Sequence, residues 1–439
     1  MEKLQTVFGR HDRPPDGGWG WMVALACFLG LVICTGVSLS TGVMVSYLTP
    51  YFGTTVTAMS TAFSLEISVW AFSSPVGSFI AKYDTRKAVV LGGVLSTSGL
   101  FISSFATGVY FLYFSFGILV GCGYGMTSSP LIAVLGRYFE KKVGFATALA
   151  LTGSSLGYIV FSPLYQYLLN EYGWRSTFLV TSAINAHLFV CAALVRPINL
   201  ASDKTLSPAK NSEKSSSDSH FPVNFKTKLR RLLEKVGCEF MADNLLFLWL
   251  LLATFLGDYS YVTASLFIVP YAIDKGIASL PASFLMTILG ISSLASRFVF
   301  SWIVDLHSVK KIRNFIPAVI LLMISSCLTF FPMNDSYTIM AVLCSLTGVC
   351  SGIYMPSLWL MAKEVCGPYY GMAVGVIAFS FGLSGISGPP FCGYLYDTTN
   401  TYTGTFYAIV AVTLLSVTCY LGIATKLLHR PAMAPVTFV

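Results

Sequence analysis

The stretch KTLSPAKNSEKSSSDSH (residues 204–220), followed closely by KTKLRRLLEK (226–235), decides how this chain is built. Rich in Ser and Lys and poor in aromatics, residues 196–244 are too polar to bury a core of their own. On both sides the sequence is apolar almost without interruption. Two hydrophobic halves joined by a solvated loop follow from this contrast, and the function is expected to lie between the halves.

Of the 439 residues 55% are apolar and only 10% charged, with a mean hydropathy of +0.72, whereas a soluble domain carries roughly a quarter charged residues. The balance defines a polytopic, all-helical membrane protein. A net charge of +8 does not point to nucleic acid, because the basic residues sit in short runs between apolar spans and form no single patch. The Cys residues are scattered, mostly inside spans (Cys27, Cys34, Cys122, Cys191, Cys344, Cys350), with no metal-ligand spacing. They read as small hydrophobes; no metal, cofactor or disulfide is expected. The opening run MEKLQTVFGRHDRPPDGG has no apolar signal region, so the first span is expected to act as its own insertion signal.

Twelve segments have the length that a helix needs to cross a bilayer. Six precede the loop (19–47, 57–81, 88–106, 110–135, 143–168, 174–194) and six follow it (245–272, 282–304, 315–331, 337–361, 371–395, 403–427). This divides the chain into a tail at 1–18, a six-helix bundle at 19–195, the loop at 196–244, a second bundle at 245–427 and a tail at 428–439. If the N-terminus is cytoplasmic, 24 of the 27 Lys and Arg fall on the cytoplasmic side, nine of them in the central loop. Only Arg175 and Lys275 fall outside, and Arg297 lies within a span. The asymmetry places both termini and the loop in the cytoplasm. The sequon Asn334-Asp335-Ser336 then falls in an outer loop.

The halves echo one another. The second-to-third connection, GSFIAKYDTRKAVV, and the eighth-to-ninth, FSWIVDLHSVKKIR, each place one Asp (Asp84, Asp305) before basic residues, Arg86 among them. Such equivalence fits duplicated bundles that rock against each other, with the acidic residue bridging helices in one conformation and releasing them in the other.

At Pro15-Asp16-Gly17-Gly18-Trp19-Gly20-Trp21 the chain resembles the monocarboxylate transporter family, whose first span opens with this run. Tyr138-Phe139-Glu140-Lys141-Lys142, followed by Ala146, Ala148, Ala150 and Gly153, is similar to that family's second fingerprint. Tyr172-Gly173-Trp174-Arg175, Arg196-Pro197-Ile198 and Gly388-Pro389-Pro390 resemble family positions too. The resemblance implies a major-facilitator fold of six plus six helices, working by alternating access on small organic acids, often with a proton. Read physically, Asp16 and the two Gly form a tight turn that can cap the first helix, and the two Trp suit the membrane interface. Gly and Ala in the fifth span permit the close helix contact that a rocking interface needs.

Three charges lie well inside predicted spans: Glu66, Asp258 and Arg297. Each is costly there unless paired or facing water, and so each is a functional candidate. Arg297 can grip a carboxylate through two parallel hydrogen bonds and stays charged, and it stands where the resemblance places a substrate-anion arginine. Proton-coupled members of that family carry a Lys in the first span and an Asp one turn before this Arg; here those places hold Leu39 and Ser293. Glu66 and Asp258 are the remaining proton or counter-charge candidates, able to pair with Arg297 when substrate is absent. Ser38, Ser40, Tyr124, Ser128, Tyr259, Tyr261 and Tyr354 are candidate polar contacts on cavity helices. Asn185 and His187 are expected at the bundle periphery. Pro130, Pro163, Pro270, Pro356 and Pro389-Pro390 offer bend points.

The expected function is transport of a small monocarboxylate or carboxylate-bearing zwitterion across the plasma membrane by alternating access, facilitative or proton-coupled. The rivals are a creatine-like or amino-acid-like zwitterion carrier, with its cationic end near Glu66 or Asp258, and a non-transporting receptor with a carrier fold. No nucleophile and base pair, metal cluster or phosphate loop suggests an enzyme. Expected partners are the small carboxylate substrate and the lipid bilayer, with the basic run 226–235 on anionic lipid. The resemblance adds a single-pass glycoprotein chaperone, and Thr437-Phe438-Val439 fits a PDZ domain.

Overall fold

The computed structural model describes residues 16–140, 142–196, 245–303, 313–333, 335–366 and 370–428. Asp305, Lys141, Asn334 of the sequon, the run 226–235 and the Thr437-Phe438-Val439 end lie outside them. Among the described residues all regular structure is helical.

Helices Gly20–Leu39 and Gly42–Phe52 form the first span. Val56–Ser103 is 48 residues long, twice what a bilayer needs, and one extended residue, Asp84, divides it into the second and third spans. The fourth joins Val109–Leu112, a π-helical turn Tyr113–Val120 and Gly121–Tyr138. Val143–Asn185 breaks at Gly173, whose φ of 73° is the left-handed backbone that glycine tolerates, and continues through His187–Leu194. These are the fifth and sixth spans. Leu245–Asp274, Ser279–Ile303, Ile316–Phe330, Tyr337–Cys366, Tyr370–Thr399 and Tyr402–Leu428 are the seventh to twelfth.

Hydroxyls along the helices are absorbed by their own backbone, as where Ser68 donates to the Ser64 carbonyl (3.0 Å) and Thr347 to that of Leu343 (2.8 Å). That is what a polar side chain must do where no water reaches it. Exposed Phe101, Phe114, Leu252 and Leu415 cover the outer flanks. Within the N-terminal half, span 1 packs on spans 5 and 6, and span 2 on span 4; within the other half, span 7 packs on span 12, and span 8 on span 10. The halves meet along three lines: span 1 on 7, span 2 on 11 and span 5 on 8.

The two fingerprint motifs prove to be one clasp. The reading of Asp16 as a cap on the first helix is corrected: its Oδ1 accepts the amide protons of Glu140 (2.8 Å) and Lys142 (3.3 Å), just ahead of the fifth span. Trp19 donates from Nε1 to the Leu194 carbonyl at 2.9 Å, with Arg196 stacked 3.6 Å above its ring. Trp21 meets Phe139 at 5.0 Å. The start of span 1 is thereby stapled to the ends of spans 4 and 6 and the start of span 5. Gly153 is likewise an internal contact, since a Cβ there would lie 2.4 Å from the Phe28 carbonyl of span 1. Gly153 therefore tightens the N-terminal bundle, while Ser155, Ile159 and Ser162 of the same span meet span 8 at the seam.

Candidate substrate site

The seam between the halves is closed at one end and open at the other. At the closed end, beside the connection between spans 1 and 2, Asp397 at the end of span 11 receives the first amides of span 2. Val56 N donates to Oδ1 and Thr57 N to Oδ2, both at 2.9 Å, and the Thr57 hydroxyl bonds Oδ2 as well. A carboxylate thus caps a helix of the other bundle, satisfying donors that a helix start leaves unpaired. Next to it Ser60 donates to the Pro389 carbonyl (3.2 Å), and Ser162 of span 5 donates to that of Ser283 (3.0 Å). Gly42 lies so near span 7 that a Cβ would come within 2.4 Å of the Leu266 carbonyl.

From mid-membrane to the opposite end the halves part around a cavity of about 960 Å³, at the upper end of the ~300–1,000 Å³ usual for ligand sites. It reaches Gly144 at the start of span 5 and Lys363 near the end of span 10. This is the end that the Lys and Arg bias places in the cytoplasm. The walls are aromatic and aliphatic, with Trp70, Phe298, Phe300, Trp359 and Phe381 among them. Among the described residues two charged side chains line it, Arg297 and Lys363. Arg297 reaches across the seam from span 8, its Nη1 donating to the Leu151 carbonyl of span 5 at 2.9 Å. Tyr261 of span 7 and Tyr158 of span 5 join hydroxyl to hydroxyl across the same seam and line the cavity.

The predicted site residues are distributed unevenly around this space. Arg297 and Tyr261 line it, as does Leu39 at the position of the missing lysine. Ser38 lines a small neighbouring gap, and its hydroxyl lies 2.8 Å from Glu66 Oε1. Glu66 is completely buried beside span 1, and Asp258 is 2% exposed beside Tyr354, whose hydroxyl stands 3.3 Å from that of Tyr420. Neither carboxylate belongs to the cavity wall in this conformation, so neither stands where it could pair with Arg297. Their side chains point into their own bundles. Ser293 is buried one turn from Arg297.

Tyr124 is an internal strut, not a cavity contact: its hydroxyl donates to Asn185 Oδ1 (3.0 Å), and Asn185 Nδ2 donates to Ser96 (2.8 Å) and Thr97 (3.0 Å). Asn185 is therefore inside the bundle, contrary to the peripheral reading, while His187 is exposed. Ser128 accepts from Trp70 Nε1 at 2.7 Å. Tyr259 faces Cys392 across 3.9 Å, and the Ser40 hydroxyl has no partner among the described residues. Asp84 turns back onto its own helix, accepting from Arg86 N (3.0 Å) and Lys87 N (3.3 Å), and bridges no other bundle among the described residues in this conformation.

Sequence reading overlooked Tyr158, Trp359, Lys363 and Asp397. The spacing of Pro356, Trp359, Leu360 and Lys363 on one helical face held a signal for two of them. Nothing linear announces Asp397, whose partners lie 340 residues earlier.

Two six-span bundles meeting around a one-ended cavity define a secondary transporter of the major-facilitator kind. The profile of the Major Facilitator Superfamily matches residues 26–370 and, in an overlapping match, 250–437. Monocarboxylate transporter 12 of Xenopus laevis is 30% identical over 431 residues, covering 96% of this chain and 91% of that one. Monocarboxylate transporter 13 of Bos taurus is 34% identical over 402 residues, covering 90% and 86%. Among solved structures, a POT family transporter crystallised with 5-aminolevulinic acid superposes with a TM-score of 0.70 at 14% identity, covering 95% of this chain and 99% of that one; that likeness shows the fold alone. The chain belongs to the monocarboxylate transporter family, and it is a membrane-spanning transporter, not an enzyme.

Proposed function

We propose that this protein carries a small monocarboxylate anion across the plasma membrane by alternating access, with both termini in the cytoplasm and Arg297 holding the carboxylate. The observation that carries this reading is the charge of the cavity wall: among the described residues its two charged members, Arg297 and Lys363, are both cationic. A plain anion is attracted there and its apolar remainder meets Trp and Phe side chains, whereas the ammonium or guanidinium end of a zwitterion would find no carboxylate among the described residues of the wall. The anion therefore ranks above the zwitterion. Tyr158 and Tyr261 supply hydroxyls beside the guanidinium for the second carboxylate oxygen.

Leu39 and Ser293 stand where a proton relay would need a Lys and an Asp, and Glu66 and Asp258 are turned away from the cavity. This favours facilitated transport driven by the substrate gradient. The test is uptake of labelled lactate, pyruvate, a ketone body and creatine by cells expressing wild type or Arg297→Ala, at acidic and neutral outside pH. Arginine-dependent uptake of a simple carboxylate, indifferent to pH, is the expected result. Creatine uptake with no carboxylate uptake would overturn the anion assignment, and strong stimulation by acid would overturn the facilitator.

A further inference from the structure

We propose a second anion site, apart from the transport cavity, that takes a phosphate group at the basic end of the N-terminal bundle. Three arginines from three different chain segments converge there: Arg86 from the connection between spans 2 and 3, Arg137 from the last turn of span 4, and Arg196 just beyond span 6. They line a cavity of about 120 Å³ together with Tyr83, Tyr138 and Asp84. At ~30 Å³ per water in the liquid, the space equals about four waters, enough for one phosphate group with residual water and too small for a nucleotide. It shares no lining residue with the transport cavity.

The charge balance favours an anion. Among the described lining residues Asp84 is the one carboxylate, and it is already committed: Oδ1 accepts two backbone amides, and Oδ2 faces Lys87 Nζ at 3.7 Å. Arg196 is held in place by the fold. Arg196 lies on the Trp19 ring at 3.6 Å, which fixes the guanidinium plane and leaves its N–H edges to bond in that plane. The Tyr138 hydroxyl donates to the Arg196 carbonyl at 2.6 Å, and the Tyr138 carbonyl accepts from Asp16 N at 3.0 Å, so the clasp at the start of span 1 also frames this pocket. Guanidinium groups converging from separate helix ends suit a tetrahedral dianion, whose oxygens can be shared among them, better than a single carboxylate. Basic pockets between spans on the cytoplasmic side are where phosphoinositide headgroups bind, and a soluble phosphate compound offers the same chemistry. Occupancy would tie the span 2–3 connection to the ends of spans 4 and 6.

The test uses the full-length protein in phosphatidylcholine nanodiscs, following the thermal unfolding midpoint during titration with inorganic phosphate, soluble inositol trisphosphate or a short-chain phosphatidylinositol bisphosphate, each against chloride of equal ionic strength. Wild type is expected to show a saturable rise with at least one of the three. In Arg86→Gln, whose side chain is exposed and whose ligand-free midpoint is expected to match wild type, the apparent affinity falls about tenfold or more, the effect of losing a charge-assisted bond. Arg175→Gln at the opposite end leaves the titration unchanged. Saturation by the soluble ligands identifies a cytosolic phosphate compound, and saturation by the lipid alone identifies a membrane headgroup. No saturable rise with any ligand, a rise reproduced by chloride, or equal affinity in Arg86→Gln overturns the proposal.

Discussion

The two ends of the inter-bundle seam are built from opposite materials. Where it is closed, helices touch backbone to backbone at Gly42, and Asp397 caps the first turn of span 2 across the interface. Where it is open, the facing surfaces are bulky and apolar, with cationic groups at Arg297 and Lys363. The difference teaches that closure rests on a few directional contacts between small or polar residues, which can be broken and remade as units. Binding rests on a broad apolar wall with one fixed charge. Changes at the open end should therefore alter how much cargo moves, and changes at the closed end should alter which way the carrier faces.

The largest expected effect is at Arg297. Replacing it with Ala removes charge-assisted hydrogen bonds worth about 1.5–3 kcal/mol, so initial uptake of the preferred carboxylate is expected to fall about 10- to 100-fold, with surface expression unchanged. Arg297→Lys should restore only part of it, because an ammonium lacks the planar fork. Full activity in Arg297→Ala would remove the distinction between the two ends.

Next comes Gly42→Val, which places side-chain atoms where the Leu266 carbonyl lies. Overpacking costs about 1–3 kcal/mol, here charged to the closed seam alone. With a reporter Ser60→Cys, labelling by a membrane-impermeant maleimide from outside should accelerate by roughly 5- to 150-fold. Unchanged labelling would show that the seam does not open there. Asp397→Asn should act in the same direction more gently, since an amide keeps one acceptor and loses the charge. About 1–2 kcal/mol corresponds to roughly a 5- to 30-fold shift toward the outward-open state in the same labelling assay. If Asp397→Asn slowed labelling, the cap would be favouring the open form, and the comparison would reverse.

The smallest expected effect is at Lys363. It is exposed at the cavity mouth, where a charge acts mainly by steering, so Lys363→Ala should lower uptake by no more than about threefold, less at high salt. A loss as large as that of Arg297→Ala would move the binding site to the mouth.

The fingerprint residues show how legibility depends on distance along the chain. Asp16 and Trp19 were readable as a turn and an interfacial anchor from their immediate neighbours. That Asp16 holds the amides just ahead of span 5, and that Trp19 meets Leu194 and Arg196, involves partners more than a hundred residues away. Glu66 and Asp258 teach the same lesson in reverse. Sequence could flag them as buried charges in apolar helices, but not the direction in which each helix turns its side chain.

By itself the sequence determined the long apolar helices, the family and Arg297 as a charge within one of those helices. Each of these rests on local composition or on a motif contained in one short run, because the bilayer imposes a helix on any sufficiently long apolar stretch. Only the tertiary structure decided which groups share the cavity: Arg297, Lys363, Tyr158 and Tyr261 come from spans 8, 10, 5 and 7. It alone also turned Glu66 and Asp258 inward and brought Asp397 to the first turn of span 2. Helix rotation and bundle docking are set by packing among residues far apart in the chain, and no local pattern encodes them.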